Sequence, residues 1–298
     1  MIQSSYDDSA SLYLIPTPIG NMEDITIRSL NVLKTVDEIF CEDTRTSGIL
    51  LKNYDIKKKL VSCHEYNEDK MIDYAVSKLK QGLNLGLITD QGSPVISDPG
   101  YVIARGVIEA GFNVISLPGA TAFVPALSSS GIEPSPFLFY GFLNSKTSKR
   151  REELENLKDL KYTIIFYESV HRIKETLEIM LDILGDRNIS LSREISKVHE
   201  EIVRDKISNV IPLVTNMKGE FVIVVEGNKN SYDFSNLDIY SHVKLYVDDG
   251  MDTKEAIKKV AKERNLPKSV VYSEYHRKKW FNETYCWSWK SGKRVWKY

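Results

Sequence analysis

The stretch LITDQGSPVISDPG, residues Leu87–Gly100, restricts the backbone at nearly every position after its first apolar residues. Residues Leu85–Thr89 are predicted to form a buried strand, and ligands bind at the carboxyl ends of strands in open α/β sheets. Gly92 lets a ligand approach the main chain closely. Asp98 followed by Pro99 is typical of a helix start, with the aspartate as cap and proline in the first helical position. The pattern predicts strand, ligand-sized loop and helix, although a purely structural βα connection is an open alternative.

Two other predicted strands end in similarly restricted loops, PTPIGN (Pro16–Asn21) and PGATA (Pro118–Ala122). Three rigid loops at the ends of three strands could converge on one cleft, which would suit a neutral or zwitterionic cofactor held mainly by backbone groups. The sequence contains neither G-x-G-x-x-G nor G-x-x-x-x-G-K-[ST]. This counts against an NAD enzyme, a P-loop NTPase and a common Rossmann methyltransferase.

Short apolar runs alternate with longer periodic segments along the first 130 or so residues, which predicts an α/β layer with a largely parallel sheet. The predicted strands are LYLIP, DEIFCE, LVSC, LGLITD and FNVISLP. The breaker-rich segment Gly131–Pro136 marks a boundary. Beyond it, the runs PFLFYGF, YTIIFYES, HEEIVRD and GEFVIVVEG, with helices at about Thr147–Leu157 and Val170–Leu184, predict a second α/β or α+β domain.

Four segments follow from this pattern: an N-terminal α/β domain (1–131), a second α/β domain closing the cleft (132–230), a helix-turn-helix-like segment (231–279) and a basic, Trp-rich tail (280–298). In the third segment Asp252 is predicted to cap a helix, with Glu255 at capping-box spacing. All four tryptophans lie in the tail. They predict either a stacking and phosphate-binding element or an extension without a function of its own.

The composition limits the classes of protein that the chain can belong to. The net charge is −1, so a nucleic-acid surface would have to be a local patch. Cys41, Cys63 and Cys286 are irregularly spaced, which disfavours a disulfide framework and fits a reduced compartment. No positive charge precedes the first apolar run, unlike in a signal peptide, and no apolar run approaches the ~20 residues of a membrane span. We therefore expect a cytoplasmic protein.

An ordered set of motifs carries a family resemblance: PTPIGNMEDITIRSL, CEDTRTSGILLKNY, SCHEYNE, DQGSPVISDPGY, LPGATA, FYESVHR, SREISKVHEE and GEFVIVVEG. Together they resemble the ribosomal RNA small subunit methyltransferase I branch of the tetrapyrrole-methylase (class III) family. The resemblance is close over about Leu12–Gly227 and looser to about Tyr275. It implies two α/β domains with S-adenosylmethionine between them, usually in a homodimer. It also implies methyl transfer to the ribose 2′-hydroxyl of a cytidine in small-subunit (16S) ribosomal RNA. No metal is expected, because the sequence around His64 and His171 has no metal-ligand spacing.

The resemblance assigns roles to individual residues of this sequence. The implied cofactor-binding residues are Pro18, Asp90, Gly92, Ser93, Thr121, Ala122 and Tyr167. The implied RNA-contacting residues are Arg45, His64, Arg172 and Arg193, together with Lys197. Glu168 and Lys197 are the catalytic candidates, because a base would help to remove the hydroxyl proton.

Several of these residues have simpler interpretations. Glu194 and Lys197 stand at helical i,i+3 spacing and could form a surface pair, and Lys197 could act as a base only if its pKa were lowered. His64 could be an ordinary polar residue at the rim. A basic cluster, Lys146, Lys149, Arg150 and Arg151, is predicted to be a solvated helix start or, alternatively, a phosphate contact.

The sequence departs from the family pattern at Gln91 and Ser93, where Ala and Thr are usual, at Val170, where Pro is usual, and at Asp205, where Gly is usual. Asp205 is expected to place a carboxylate near the cofactor. Two other functions stay open: a methylase of the same fold acting on a tetrapyrrole or protein side chain, and a non-catalytic RNA-binding assembly factor.

Overall fold

The computed structural model describes residues 3, 5, 9–64, 67–229 and 237–278. Two compact units divide the chain, Met1–Asn228 and Lys229–Tyr298. The Trp-rich tail lies outside the described residues. Within the described part of the chain, no helix is both long and apolar enough to cross a membrane.

The first sheet of the larger unit has the strand order β3-β2-β4-β1-β5, and every neighbouring pair is parallel. Its strands are β1 (Ser11–Leu14), β2 (Glu38–Cys41), β3 (Lys59–Ser62), β4 (Leu85–Leu87) and β5 (Asn113–Ser116). The predicted parallel sheet is confirmed. Because β4, β1 and β5 are neighbours, the three loops that follow them leave the same edge of the sheet.

Helices cover both faces of this sheet, which explains its continuous apolar strands. The helices of this part are α1 (Ile27–Thr35), α2 (Thr44–Asn53), α3 (Glu68–Lys80), α4 (Tyr101–Glu109) and α5 (Phe123–Ser129). On β2, Ile39 and Cys41 pack with Leu33 of α1 on one face, while Phe40 packs with Ile103 of α4 on the other. The alternation of side chains along a strand sends successive residues of one apolar run to two different cores.

The start of α4 differs from the prediction. The helix begins at Tyr101 after Gly100, whose φ of 124° is open to glycine. The buried carboxylate of Glu68, from α3, accepts hydrogen bonds from the backbone nitrogens of Gly100 (2.7 Å) and Val102 (2.9 Å). The prediction that Asp98 caps this helix is therefore wrong, because a side chain from another helix fills that place.

The second sheet of the larger unit has the order β6-β7-β10-β8-β9, in which only β6 and β7 run parallel. Its strands are β6 (Phe137–Phe142), β7 (Thr163–Ser169), β8 (Asn188–Arg193), β9 (Glu201–Lys206) and β10 (Glu220–Val225). The helices α6 (Thr147–Leu157), α7 (Ile173–Leu184) and α8 (Ile207–Val210) follow in the same half. The α+β alternative thus holds for this half of the unit.

The two faces of the second sheet are covered from different parts of the chain. Leu154 of α6 and Leu177 of α7 belong to the core on one face. On the other face, Leu127 of α5 packs with Ile165 and Val224. Helix α5 was assigned by sequence to the first domain, yet it packs on the second sheet, so the two sheets form one unit rather than two independent ones.

The smaller unit contains α9 (Ile239–Asp248), α10 (Thr253–Glu263) and α11 (268–278). Val243, Ile257 and Val271, one from each helix, are buried together. The carboxylate of Asp252 accepts from the backbone nitrogen of Lys254 at 2.9 Å, which confirms the predicted cap. The predicted pair of helices is present, and α9 adds a third.

Candidate active site

Three loops at the end of the first sheet are joined by hydrogen bonds. Thr17 and Gly92 exchange backbone hydrogen bonds of 2.8 and 3.1 Å. The hydroxyl of Ser93 donates to the carbonyl of Ala120 at 3.0 Å. The loops after β1, β4 and β5 therefore hold one another in place, as the convergence of restricted residues predicts.

Gly92 occupies a backbone conformation that suits glycine, with φ of 85°. A Cβ at this position would lie 3.4 Å from a methyl carbon of Ile19 and 3.8 Å from the carbonyl oxygen of Ala120. These are ordinary contact distances, so the positive φ rather than a clash is what favours glycine at this position.

A cleft of about 470 Å³ lies in front of these loops, and residues of the second sheet form its other wall. The structure brings most of the predicted cofactor residues and one catalytic candidate to this cleft: Asp90, Gly92, Ser93, Thr121, Ala122, Tyr167 and Glu168. Pro18 is buried beside it, and the neighbouring Ile19 takes its place in the lining. Lys197, Arg45, His64, Arg172 and Arg193 are not among the lining residues.

The first-sheet wall of the cleft is acidic. Oδ1 of Asp90 is buried without a hydrogen-bond partner among the described residues, and burial followed by the charge of Asp43 raises the pKa of this carboxyl. Burial also raises the pKa of Asp98 to about 6, although Oδ1 of Asp98 accepts from the Thr89 hydroxyl at 2.9 Å. A carboxylate oxygen without a partner inside a cleft fits a ligand that brings a cation or a donor.

The second-sheet wall contributes Tyr167 and Glu168 from β7. Burial raises the pKa of the Tyr167 phenol to about 12, so it stays neutral, and its oxygen accepts from the backbone nitrogen of Phe123 at 3.2 Å. Tyr167 thereby ties the second sheet to the first residue of α5, immediately after the Thr121–Ala122 loop.

Glu168 is fully buried, and the protein satisfies both of its carboxylate oxygens. Oε1 accepts from the backbone nitrogen of Ser169 (2.7 Å) and from the guanidinium of Arg172 (2.7 Å). Oε2 accepts from the hydroxyl of Thr176 at 2.7 Å. Arg172 also donates to the carbonyl of Leu143 at 3.4 Å. These two predicted functional residues form an internal ion pair that anchors the end of β7.

Lys197 lies in a turn beside the cleft. Its ammonium donates to Glu220 (2.8 Å), a lining residue, and to Glu194 (3.1 Å). Burial disfavours the charged lysine, but the hydrogen bonds to Glu220 and Glu194 outweigh it, so its pKa is raised. The condition for a lysine base is therefore not met. Glu194 and Lys197 do pair, but in a turn where Glu194 has φ of 52° rather than on a helix.

The remaining RNA candidates occupy separate positions. Arg45 is exposed at the start of α2, where its guanidinium contacts Asp43 at 3.0 Å. The guanidinium of Arg193 contacts Glu201 at 2.9 Å and donates to the carbonyl of Lys218. The backbone nitrogen of His64 donates to Oδ1 of Asn67 at 2.8 Å.

Of the basic cluster, Lys146, Lys149 and Arg151 are exposed at the start of α6, as predicted, whereas Arg150 and Asp205 differ from the predictions. Arg150 is buried and donates to the hydroxyl of Thr176 (2.9 Å) and to the carbonyl of Asn144 (3.2 Å), so it joins α6 to α7 instead of meeting solvent or phosphate. Asp205 is exposed on β9, accepts from Asn209 at 2.9 Å and does not line the cleft. The expectation of a carboxylate near the cofactor at this position is wrong.

Asp98 is a lining residue that sequence reasoning assigned to a helix cap instead. A second carboxylate in the same restricted loop as Asp90 was the signal that could have found it. Among residues 9–64, 67–229 and 237–278, no group of three or more His, Cys, Asp or Glu could hold a metal ion.

Comparisons with known proteins agree with this geometry. The profile of the tetrapyrrole (corrin/porphyrin) methylases matches residues 11–211. Ribosomal RNA small subunit methyltransferase I of Bacillus subtilis (strain 168) is 47% identical over 279 residues, covering 91% of this chain and 96% of its own length. The protein of the same name from Halalkalibacterium halodurans is 43% identical over 285 residues, covering 92% and 99%.

Solved structures show the same fold at low identity. Uroporphyrin-III-C-methyltransferase from Thermus thermophilus aligns with a TM-score of 0.54 and 17% identity, over 73% of this chain and 94% of that protein. A cobalt precorrin-4 methyltransferase aligns with a TM-score of 0.56 and 16% identity, over 76% and 98%. The chain therefore belongs to the tetrapyrrole methylase family, in the group whose members are named ribosomal RNA small subunit methyltransferase I.

Proposed function

We propose that this protein transfers a methyl group from S-adenosylmethionine to the ribose 2′-hydroxyl of a cytidine in small-subunit ribosomal RNA. The observation that carries the proposal is the cleft at the ends of β4, β1 and β5, with a backbone-lined floor and an acidic wall. The relatives that match nearly the whole chain are named for methylation of this RNA. The cytidine and the 2′-oxygen come from the motif resemblance.

The cleft fits the proposed cofactor in its chemistry. S-adenosylmethionine carries a sulfonium cation, and Asp90 supplies a buried oxygen that has no partner among the described residues. Gly92, Thr121 and Ala122 would hold the donor mainly through backbone groups, and Tyr167 would close the opposite side. When bound, this cofactor supplies an electrophilic methyl group.

The protein's main task in such a reaction is alignment. The hydroxyl oxygen, the methyl carbon and the sulfur must lie in one line, and rigid loops that hold one another achieve this without further ordering. The reciprocal hydrogen bonds of Thr17 with Gly92 and the contact of Ser93 with Ala120 provide that rigidity. Arg45, at 89% side-chain exposure, forms a solvent-exposed ion pair with Asp43, and a phosphate could compete for its guanidinium there.

Methyl transfer to small ribosomal subunits tests this function. Purified protein and labelled S-adenosylmethionine would be incubated with subunits from cells that lack the protein, and the product mapped for ribose methylation. We expect one modified cytidine. Labelling of a porphyrinoid or a protein instead would support the same-fold rivals. RNA binding with steep salt dependence but no saturable cofactor binding would indicate an assembly factor.

The proposal includes a homodimer and a cytoplasmic location. Large apolar side chains such as Ile27 and Tyr101 are exposed on the larger unit and are available to a dimer interface. Light scattering of the purified chain at micromolar concentration would measure the mass, and a monomer would contradict this part of the proposal.

A further inference from the structure

Asp98 is a cleft-lining carboxylate without a structural task in α4. The backbone nitrogens that it was predicted to cap bind Glu68 instead. Its one hydrogen bond among the described residues is accepted by Oδ1 from the Thr89 hydroxyl, at 2.9 Å. Thr89 is buried just after β4 and fixes one oxygen of Asp98, and Asp98 itself lines the cleft.

The backbone around Asp98 is held in an unfavourable conformation. Val95 has φ of 77° and Ser97 has φ of 64°, and a β-branched residue in this region is a clear outlier. Strand β6 approaches this turn, since a Cβ at Gly141 would lie 3.1 Å from the hydroxyl oxygen of Ser97. Such strain persists where surrounding packing enforces it, and it concentrates at functional sites.

The surroundings of Asp98 disfavour its ionised form. Burial is the largest influence, and the charges of Glu42 and Asp90 add to it, while only the Thr89 hydroxyl acts in the opposite direction. Tyr167 faces it as a neutral phenol from β7. No basic side chain is among these influences, so the pKa of Asp98 rises to about 6, close to the range in which a carboxylate can take a proton at working pH.

The other acid–base candidates are less suited to this task. Glu168 has both oxygens engaged by Ser169, Arg172 and Thr176. Lys197 has a raised pKa and is held by two carboxylates. Asp90 lies in the loop that is predicted to bind the cofactor. The variant Asp90→Asn is therefore included in the experiment, to separate its effect from that of Asp98.

We propose that Asp98 accepts the proton of the attacking hydroxyl during methyl transfer. In this step, which rests on the proposed function, a lone pair of the 2′-oxygen forms the bond to the methyl carbon. The carbon–sulfur bond breaks, its electron pair stays on sulfur, and the cofactor leaves as a neutral thioether. The hydroxyl proton passes to the Asp98 carboxylate and then to solvent.

The pH profile of Asp98→Asn tests the proposal. In the wild-type protein, turnover should rise tenfold per pH unit at low pH and then level off as Asp98 ionises. Asp98→Asn should lose at least about 100-fold at the plateau and lack this acidic limb, with cofactor affinity changed less than fivefold. Asp205→Asn, on the exposed edge strand β9, should keep the wild-type profile.

Thr89→Val provides a second variant that keeps the carboxylate. Loss of the hydroxyl that donates to Asp98 should raise the pKa of Asp98 further, so the acidic limb moves to higher pH while the plateau rate changes little. Infrared or ¹³C NMR titration of the cofactor-free protein should show a carboxyl signal near pH 6 that is absent in Asp98→Asn and shifted upward in Thr89→Val.

The outcomes separate this proposal from the proposed function. If the wild-type protein methylates no RNA, the function itself fails. If it methylates RNA but Asp98→Asn stays within threefold of the wild-type rate, or Asp90→Asn removes the limb instead, Asp98 is not the proton acceptor. In Thr89→Val, the carboxyl signal of Asp98 could shift while the acidic limb of the pH–rate profile stays in place. That result would also show that Asp98 is not the proton acceptor.

Discussion

The two walls of the cleft differ in whether their carboxylates are paired with cations. On the first-sheet wall, Asp90 and Asp98 have no ion-pair partner among the described residues, and both carboxyls have raised pKa values. On the second-sheet wall, Glu168 is paired with Arg172, and Glu220 is paired with Lys197. Paired charges maintain structure, whereas carboxylates without a cation provide a place for one. Under the proposed function, the first wall therefore carries the chemistry and the second wall holds the cleft in place.

The largest expected effect tests the structural role of Glu168. Replacing it with Gln removes the charge partner of Arg172 inside the protein, which should lower the free energy of unfolding by about 3 kcal/mol, because breaking a buried pair leaves one charge uncompensated. Urea unfolding followed by fluorescence measures this. Glu220→Gln, at the 68% exposed end of the neighbouring pair, is the matched control and should cost far less.

If the turnover of Glu168→Gln falls only in proportion to the fraction of protein that is folded, Glu168 acts through structure. If Glu168→Gln folds as stably as the wild-type protein yet turns over more than 100-fold more slowly, Glu168 takes part in the chemistry and the contrast between the walls fails.

The next effect concerns the floor of the cleft. Gly92→Ala should destabilise the protein by about 1 kcal/mol, since alanine resists the positive φ, and it should weaken S-adenosylmethionine binding at least tenfold. Gly82→Ala is the control, because Gly82 has a similar φ of 82° with nothing within 4 Å of the added carbon. Calorimetric titration compares them. If Gly92→Ala and Gly82→Ala bind S-adenosylmethionine equally tightly, Gly92 is not part of the cofactor site.

The sequence predicts the first wall better than the second, for a physical reason. The loops after β1, β4 and β5 consist of Pro, Gly and small polar residues whose local constraints are visible in one stretch. By contrast, the anchoring of Glu168 by Thr176, and the capping of α4 by Glu68, depend on contacts between separate elements. Local propensity also misplaced Asp98, because Asp-Pro is typical of helix starts wherever it occurs.

The predicted helices and strands show the same difference between local constraints and contacts between separate elements. The helix predicted at Thr147–Leu157 is present over those residues. Strand β8 (Asn188–Arg193) was missed, and its burial depends on β10 and β9 on either side. The polar residues Ser190 and Ser192 are fully buried there, which a reader of the sequence alone would not expect.

A smaller effect concerns stability and pH on the first wall. Because the folded pKa of Asp98 is raised from 3.8 to about 6, its contribution to stability is present below pH 3.8 and lost as pH rises through 6. Asp98→Asn should therefore be more stable than wild type by about 1 kcal/mol at pH 7.5, after a discount for partial exposure, and equal to it near pH 3.5. Asp205→Asn should change stability only in the opposite direction at pH 7.5, because hydrogen bonds from Asn209 and the backbone of Lys206 lower the pKa of Asp205.

Urea unfolding of the cofactor-free proteins at both pH values measures the difference. A gain of stability on removal of a cleft carboxylate is the mark of a residue retained for function. If Asp98→Asn is less stable than wild type at pH 7.5, the carboxylate is structural, and the first wall resembles the second.

The smallest expected effect tests Lys197. The ammonium is partly exposed, and its partner Glu220 is more so, so Lys197→Met should cost only about 0.5 kcal/mol of unfolding free energy. The ammonium of Lys197 stabilises the folded state fully at pH 7.5. Because the pKa of this lysine is raised, that stabilisation is lost only as the pH rises above the ordinary value of 10.5. Turnover should fall less than tenfold, and Lys197→Arg should restore it, because arginine keeps the cation that holds Glu220. An arginine cannot serve as a base at these pH values. Loss of more than 100-fold in both variants, with cofactor and RNA affinities intact, would therefore show that Lys197 removes the proton and that the second wall carries the chemistry after all.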